Sequence, residues 1–284
     1  MLSHNEPMSK HCSLRAGGVV QDFFTPHTLD DLSHFLKNNQ KPIFMLGLGS
    51  NLLVRDQGFA GVAIKLTQLN QLNITNNIIQ AGAGVTLAKL ARFYQSQGLN
   101  GAEFLSAIPG NVGGALAMNA GAFGSDFWSM VDSVATINTV GKVFKRNVAE
   151  FDIAYRQVTP HYQNEIFIGA NLRLAQTDKP QDIKALLKKR NDLQPIGLPS
   201  CGSVFKNPPN HHAAKLIQES HLKGFCIGNA CVSDKHANFI INQGNATASD
   251  IERLITHIQQ TVKSNFNIDL ETEVVIIGWT KERP

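Results

Sequence analysis

The 284-residue chain has no run of about 18 apolar residues, so the sequence offers no membrane-spanning helix. Its first 18 residues lack the apolar core of a secretory leader, which makes the cytosol the expected compartment. Charge is sparse: 17% of residues are charged and the net charge is +4 at pH 7. The densest basic run, Lys188-Lys189-Arg190, has no interleaved aromatics, which argues against a nucleic-acid binder. A mild positive excess suits small anionic ligands, phosphates in particular. Cysteine is scarce too. Cys12, Cys201, Cys226 and Cys231 include no CxxC pair and do not read as a disulfide framework, so reduced thiols are expected. His211-His212 has no carboxylate or cysteine at ligand spacing, so no metal is expected. A GxSxG elbow is missing, which excludes the usual serine hydrolase.

What is present is an ordinary globular composition, 43% hydrophobic, enough for a packed core. Thr28, with Asp31 three residues on, caps a helix whose apolar face is Leu29, Leu32, Phe35 and Leu36. Residues 43–46 form a short strand, and 61–66 and 78–81 read as further strands. Thr86 caps a second helix with Leu87, Leu90, Ala91 and Tyr94 inward, stopped at Gly98. Residues 108–124 are rich in glycine and alanine and show neither helical nor strand periodicity, a pattern expected where backbone packs close to a ligand. Residues 131–138 and 142–148 form a hairpin turning at Val140-Gly141, and 166–174 another strand. A charged helix at 182–192 precedes a domain boundary near Asn191. Beyond it come a turn at 200–209, a helix at 213–220 and a strand at 239–242. A long helix capped by Thr247 and Asp250 then buries Ile251, Leu254, Ile255, Ile258, Val262 and Phe266, and a last strand runs over 273–277. Strands and helices alternate throughout, giving an α+β or α/β class.

Five segments could carry chemistry. Gly47-Leu48-Gly49-Ser50-Asn51 follows a strand and exposes backbone N–H groups suited to phosphate oxygens. It is neither GxGxxG, since Leu52 stands in place of a third glycine, nor a Walker A loop, and by itself it fits a tight turn equally well. Ile108-Pro109-Gly110-Asn111-Val112-Gly113-Gly114, followed by Asn119-Ala120-Gly121-Ala122, offers a flat surface for a planar ring or a tightly packed turn. In Gly202-Ser203-Val204-Phe205-Lys206-Asn207-Pro208, Ser203 is either a proton donor or a hydroxyl satisfying a backbone carbonyl. Arg156, after Tyr155, suits bidentate binding of carboxylate or phosphate, or is a solvated cation. Glu273 heads the apolar run Val274 to Ile277, where a carboxylate needs a partner or a role unless it is solvated at the strand end.

In this order the segments resemble the UDP-N-acetylenolpyruvoylglucosamine reductase (UDP-N-acetylmuramate dehydrogenase) family, shorter type, over nearly the whole chain. The resemblance begins at Ser13-Leu14-Arg15-Ala16-Gly17-Gly18. It implies an α+β fold: a two-lobed FAD-binding domain of the vanillyl-alcohol oxidase type (residues 1–72 and 73–190) and a C-terminal α+β substrate domain (191–284). It also implies that Gly47 to Asn51 hold the FAD pyrophosphate, and that Ile108 to Gly114 and Asn119 to Ala122 line the flavin. Arg156 matches the catalytic arginine, Ser203 the proton donor and Glu273 the catalytic carboxylate, with Tyr155, Asn207 and His236 at substrate positions. The implied partners are NADPH and UDP-N-acetylglucosamine enolpyruvate, in peptidoglycan precursor synthesis. Cys12 replaces the usual threonine and Ala107 the usual glycine, both near the implied flavin. The insertion with a substrate-covering tyrosine is missing. Two rivals remain: an FAD-dependent sugar or alcohol oxidase of the same fold, and a non-catalytic flavin- or nucleotide-binding module.

Overall fold

The computed structural model describes residues 1–173 and 180–279. The chain divides into two compact units, the first comprising Met1–Leu2, Phe23–Leu48 and Ala63–Lys189, the second Ser3–Asp22, Gly49–Val62 and Arg190 onward. The backbone passes from one unit to the other inside strands Leu2–Pro7, Val19–Phe24 and Phe59–Lys65, inside the helix Ile183–Leu193, and between Leu48 and Gly49.

The first unit is built on a five-stranded sheet in the order Val143–Asn147, Val131–Asn138, Glu165–Arg173, Ile78–Gly82, Leu72–Thr75, every neighbour antiparallel. The expected hairpin at Val140-Gly141 is present, with Gly141 at φ 77°. Leu174, expected to end the strand that begins at Ile166, lies outside the described residues. Helix α1 (Leu29–Asn38) starts with the expected capping box: the Thr28 side chain accepts from Asp31 N–H while the Asp31 carboxylate accepts from Thr28 N–H. Leu32 and Leu36 are buried and Phe35 stacks on Phe24 with ring centroids 4.1 Å apart, whereas Leu29 stays at the surface. Helix α2 (Leu87–Ser96) is capped by Thr86 and buries Leu87, Leu90, Ala91 and Tyr94, as its apolar spacing predicts.

The stretch read as aperiodic contains a helix, α3 (Val112–Met118). Its Asn111 side chain accepts from Gly114 N–H at 3.1 Å, and Asn119 ends it in the left-handed region at φ 44°. Seven residues span two turns, too few to show an apolar period, and two are glycines. Local capping therefore forms this helix where intrinsic propensity does not. Trp128 closes the core beside it, donating from Nε1 to Leu116 C=O at 2.8 Å.

Helix α4 (Ile183–Leu193) leads into the second unit. There α5 (Ala213–Glu219) and the nineteen-residue α6 (Ala248–Phe266) pack with the three-stranded sheet Cys226–Ile227, Ala230–Val232, Ile240–Asn242. Two devices hold the start of α6: the expected Thr247/Asp250 capping box, and Asp56, whose carboxylate accepts from Ala248 and Ser249 N–H at 2.9 and 2.8 Å. Ile251, Leu254, Ile255, Ile258 and Val262 are buried as expected.

One expectation fails here. Cys226 and Cys231 form a disulfide, with Cα atoms 4.1 Å apart. They sit directly opposite each other on adjacent antiparallel strands, joined through the turn at Gly228-Asn229. A search for CxxC or a multi-bridge framework overlooks a pair whose proximity comes from cross-strand register. Cys12 and Cys201 are free and buried, and burial pushes both thiols up to about 12, so they remain neutral. The last strand is also shorter than expected, Val275–Ile277, in parallel register with Leu52–Val54. Glu273 and Val274 leave the ladder because both their N–H groups point to Val204 C=O, at 2.7 and 3.3 Å.

Candidate active site

In the first unit, Gly47 and α3 meet closely. A side chain on Gly47 would begin 2.6 Å from Asn111 Oδ1, the oxygen that caps α3, so this position has no room for one. The segment after α3 anchors Arg156. Its guanidinium donates to Asn119 C=O at 3.1 Å and to Gly121 C=O at 2.7 Å, and lies 5.1 Å from the Tyr155 ring. Arg156 itself sits at φ 55°, the tip of the hairpin that joins strands Phe151–Ala154 and Gln157–Pro160. Asn119 holds the two arms together: its amide donates to Ala154 C=O at 3.1 Å and accepts from Trp128 N–H at 3.2 Å. The unit thus joins Asn119, Gly121 and Arg156 into one hydrogen-bonded group, with the Tyr155 ring beside the guanidinium. Tyr155 is exposed beside it.

In the second unit the grouping is different. Gly49, at φ 68°, lies against His11 C=O so closely that a Cβ would fall 1.8 Å from that oxygen. Its own carbonyl accepts from Ser13 N–H at 2.9 Å. Asn51 donates from its side chain to Glu273 C=O at 2.9 Å, tying the loop to the C-terminal carboxylate segment. Ser203 follows Gly202, at φ 76°, and precedes Val204, whose carbonyl receives the Glu273 amide. The Asn51 side-chain bond and the Glu273 backbone bond therefore bring Asn51, Ser203 and Glu273 together.

The Ser203 hydroxyl forms no hydrogen bond among the described residues. The reading of Ser203 as a turn hydroxyl that satisfies a carbonyl is therefore not what the structure shows. Asn238 fixes the turn instead, and sequence reasoning passed it over. This buried side chain accepts from Phe205 N–H at 3.0 Å and donates to Phe205 C=O at 2.8 Å, while the Asn238 main-chain carbonyl accepts from Val204 N–H at 2.9 Å. No local pattern announces it. Asparagine reads as a loop residue until its burial 33 positions from its partner is seen.

Glu271 is exposed and pairs with Lys206 at 2.5 Å, whereas Glu273 is half-buried. Asn207 turns its side-chain oxygen to Ala213 N–H at 3.0 Å and so caps α5. His236 packs edge-on to Phe239 with centroids 4.8 Å apart, and its buried Nδ1 has no partner among the described residues. Burial holds this imidazole below its ordinary pKa, which leaves it neutral near pH 7.

The loop and the glycine-rich stretch each leave backbone donors unused. The N–H groups of Leu48, Gly49 and Gly110 donate to no protein oxygen among the described residues. Those of Val112 and Gly113 are used internally, on Val85 and Ala83 C=O, both at 2.9 Å. Residues 21–146 match the model of an FAD binding domain, and residues 194–277 that of the UDP-N-acetylenolpyruvoylglucosamine reductase C-terminal domain. The reductase of that name from Coxiella burnetii (strain Dugway 5J108-111) is 47% identical, over 96% of this chain and 95% of its own. The chain belongs to the UDP-N-acetylenolpyruvoylglucosamine reductase family. The Nitrosomonas eutropha member is 48% identical over 99% of this chain and 90% of its own. The crystal structure of the Thermus caldophilus enzyme superposes with a TM-score of 0.80 at 30% identity, over 95% of this chain and 97% of that one. As a family member the chain is an FAD-dependent oxidoreductase, with an α+β fold in which an FAD-binding domain precedes the family's C-terminal domain.

Proposed function

We propose that the chain reduces UDP-N-acetylglucosamine enolpyruvate to UDP-N-acetylmuramate in the cytoplasm, with NADPH as reductant, in peptidoglycan precursor synthesis. The observation that carries this reading is the Ser203 hydroxyl, without a hydrogen bond among the described residues, on a turn held by Asn238 and adjoining Glu273. The hydroxyl is partly exposed and can rotate toward a substrate carbon without first breaking a structural bond.

When bound, FAD supplies the redox chemistry, accepting hydride from NADPH and passing it to the vinyl methylene carbon of the substrate. The amides of Gly47 to Asn51 would hold its pyrophosphate, and Ile108 to Gly114 with Asn119 to Ala122 its ring system. As hydride arrives, negative charge grows on the substrate's adjacent carbon and carboxylate. Arg156 is assigned that carboxylate, because its guanidinium is fixed in place before substrate arrives. Glu273 shares a proton with the same group. Ser203 gives its proton to the carbon, a transfer plausible for a weakly acidic hydroxyl only because the acceptor is strongly basic. Tyr155, Asn207 and neutral His236 contact the rest of the substrate, Asn207 through the amide NH₂ that its capping bond leaves over. In this division of labour, residues 1–72 and 73–190 serve the flavin and 191–284 the substrate.

The test is the visible spectrum of the purified protein. A flavin spectrum should bleach with NADPH under nitrogen and return when the enolpyruvyl sugar is added. The colour should pass into the supernatant on acid precipitation, since neither glycine-rich segment contains histidine or cysteine for a covalent link. Fast return of colour with oxygen alone, and none with the enolpyruvyl sugar, would instead identify an oxidase.

A further inference from the structure

Within the second unit, the turn that carries Ser13 onto Gly49 also forms one wall of a cavity of about 580 Å³, lined by Lys10, Cys12, Ser13, Arg15, Leu198 and Pro199 among others. Its polar character is almost wholly cationic. The Ser13 hydroxyl is spent on Ser200 C=O at 2.6 Å and Gly49 C=O at 3.3 Å, and the Cys12 thiol is buried and neutral. No acidic residue lines the space. Neither the Lys10 ammonium nor the Arg15 guanidinium has a hydrogen bond or ion pair among the described residues. Several other cations of this unit are paired: Arg55 with Glu252, Lys206 with Glu271, Arg253 with Asp250 and Lys263 with Asp269. Arg15 also occupies the left-handed region at φ 52°, an unfavourable backbone state for a residue with a side chain, held by its N–H bond to Cys12 C=O at 2.9 Å.

The same cavity has an apolar part. Leu198 is 54% exposed, and Pro199 adjoins Ser200, the start of the turn that presents Ser203. Two cations unpaired among the described residues, in one cavity with an uncovered leucine, match a ligand with an anionic group at one end and a flat, weakly polar body at the other. Arginine beside lysine favours phosphate, since the guanidinium fork binds two oxygens and the ammonium adds charge.

We propose that this cavity is a subsite for a phosphate group of a nucleotide, gripped by Arg15 and Lys10 with the nucleoside side against Leu198. The proposal rests on the functional reading above, which brings three such ligands to this chain: FAD, NADPH and the uridine diphosphate sugar. The shared chemistry is the phosphate, and the experiment separates the sources. Lys10→Gln, Arg15→Gln and the double variant are compared with wild type in three assays. These are FAD affinity of the apoprotein by flavin fluorescence, KM for NADPH against NADH in flavin reduction, and Kd for UDP by calorimetry on the FAD-loaded protein. One of the three should weaken by about tenfold or more in Arg15→Gln, the scale of one lost charge-assisted hydrogen bond, and further in the double variant. Arg15→Lys should recover part of the loss. If the NADPH arm responds and NADH does not, the 2′-phosphate is the group bound. If the UDP or FAD arm responds, it is a diphosphate. Lys10 and Arg15 are exposed, so their glutamine variants should fold, and Leu198→Glu provides a second probe by placing a carboxylate on the shelf without altering the cations. Unchanged values in all three arms for both the double variant and Leu198→Glu overturn the proposal. A wild-type protein that binds these nucleotides but does not reduce the enolpyruvyl sugar overturns the functional reading and leaves this one standing.

Discussion

The Arg156 guanidinium is tied down by the carbonyls of Asn119 and Gly121, while among the described residues the Ser203 side chain has no hydrogen bond and its turn is tied through backbone, by Asn238 and by Glu273 N–H. The contrast matches the tasks assigned to the two residues. A group that stabilises developing charge works best when it needs no reorganisation, so its donors are fixed in advance. A hydroxyl that delivers a proton must rotate toward its acceptor, and a structural hydrogen bond would have to break first. What needs fixing around Ser203 is the Cα position, which the buried Asn238 amide provides.

The sharpest test of that contrast is Ser203→Ala. Flavin reoxidation by the enolpyruvyl substrate should slow by about two orders of magnitude or more, the scale of lost general-acid catalysis, while reduction by NADPH stays near wild type in stopped-flow work. Equal slowing of both half-reactions would make Ser203 a structural residue and dissolve the comparison. Next in size is Glu273→Gln, which should cut reoxidation more than tenfold. Glu271→Gln should change it less than about tenfold, or roughly 1.4 kcal/mol, because Glu271 is exposed and engaged with Lys206. The reverse ranking, in folded and FAD-loaded variants, would move the carboxylate role two residues upstream.

Asn238→Ala isolates the backbone side of the contrast. It strands the N–H and C=O of Phe205 in a buried setting, each worth about 1–3 kcal/mol, so the unfolding free energy should drop measurably. Reoxidation should slow while NADPH reduction is spared. A variant that is less stable yet reoxidises at the wild-type rate would show that Ser203 does not depend on this mooring. A modest effect, on stability alone, is expected from reducing the Cys226–Cys231 bridge, which closes a loop of only six residues. Chain-entropy arguments assign it about 2 kcal/mol, so dithiothreitol should lower Tm by a few degrees, and Cys226→Ser should do the same without reductant. Identical melting with and without reductant would show that the thiols stay apart in solution.

Much of the local structure was legible in short patterns. Thr28 with Asp31 and Thr247 with Asp250 announced two capping boxes, and the apolar spacing from Ile251 to Val262 announced the buried face of α6. Each of these interactions spans four residues or fewer per repeat, so the sequence contains both partners. Helix α3 was not legible, because it depends on one capping side chain and on contacts with residues 83–85 rather than on propensity. The Cys226–Cys231 bridge was within reach, since Gly228-Asn229 between two short apolar segments is a hairpin signal.

By itself the sequence determined which residue types could do chemistry and in what order along the chain they stand: the glycine-rich loop, Arg156, Ser203, Glu273. Only the tertiary structure decided which of them are held and which are left free. It gave Arg156 two carbonyl anchors, left the Ser203 hydroxyl without a hydrogen bond among the described residues, turned Asn207 toward α5 and made the buried Asn238 the brace of the serine turn. The physical reason is range. Capping and periodicity are settled among neighbours a few residues apart, whereas the partners that fix or free a catalytic side chain lie 33 to 37 residues away and meet only when the chain has folded.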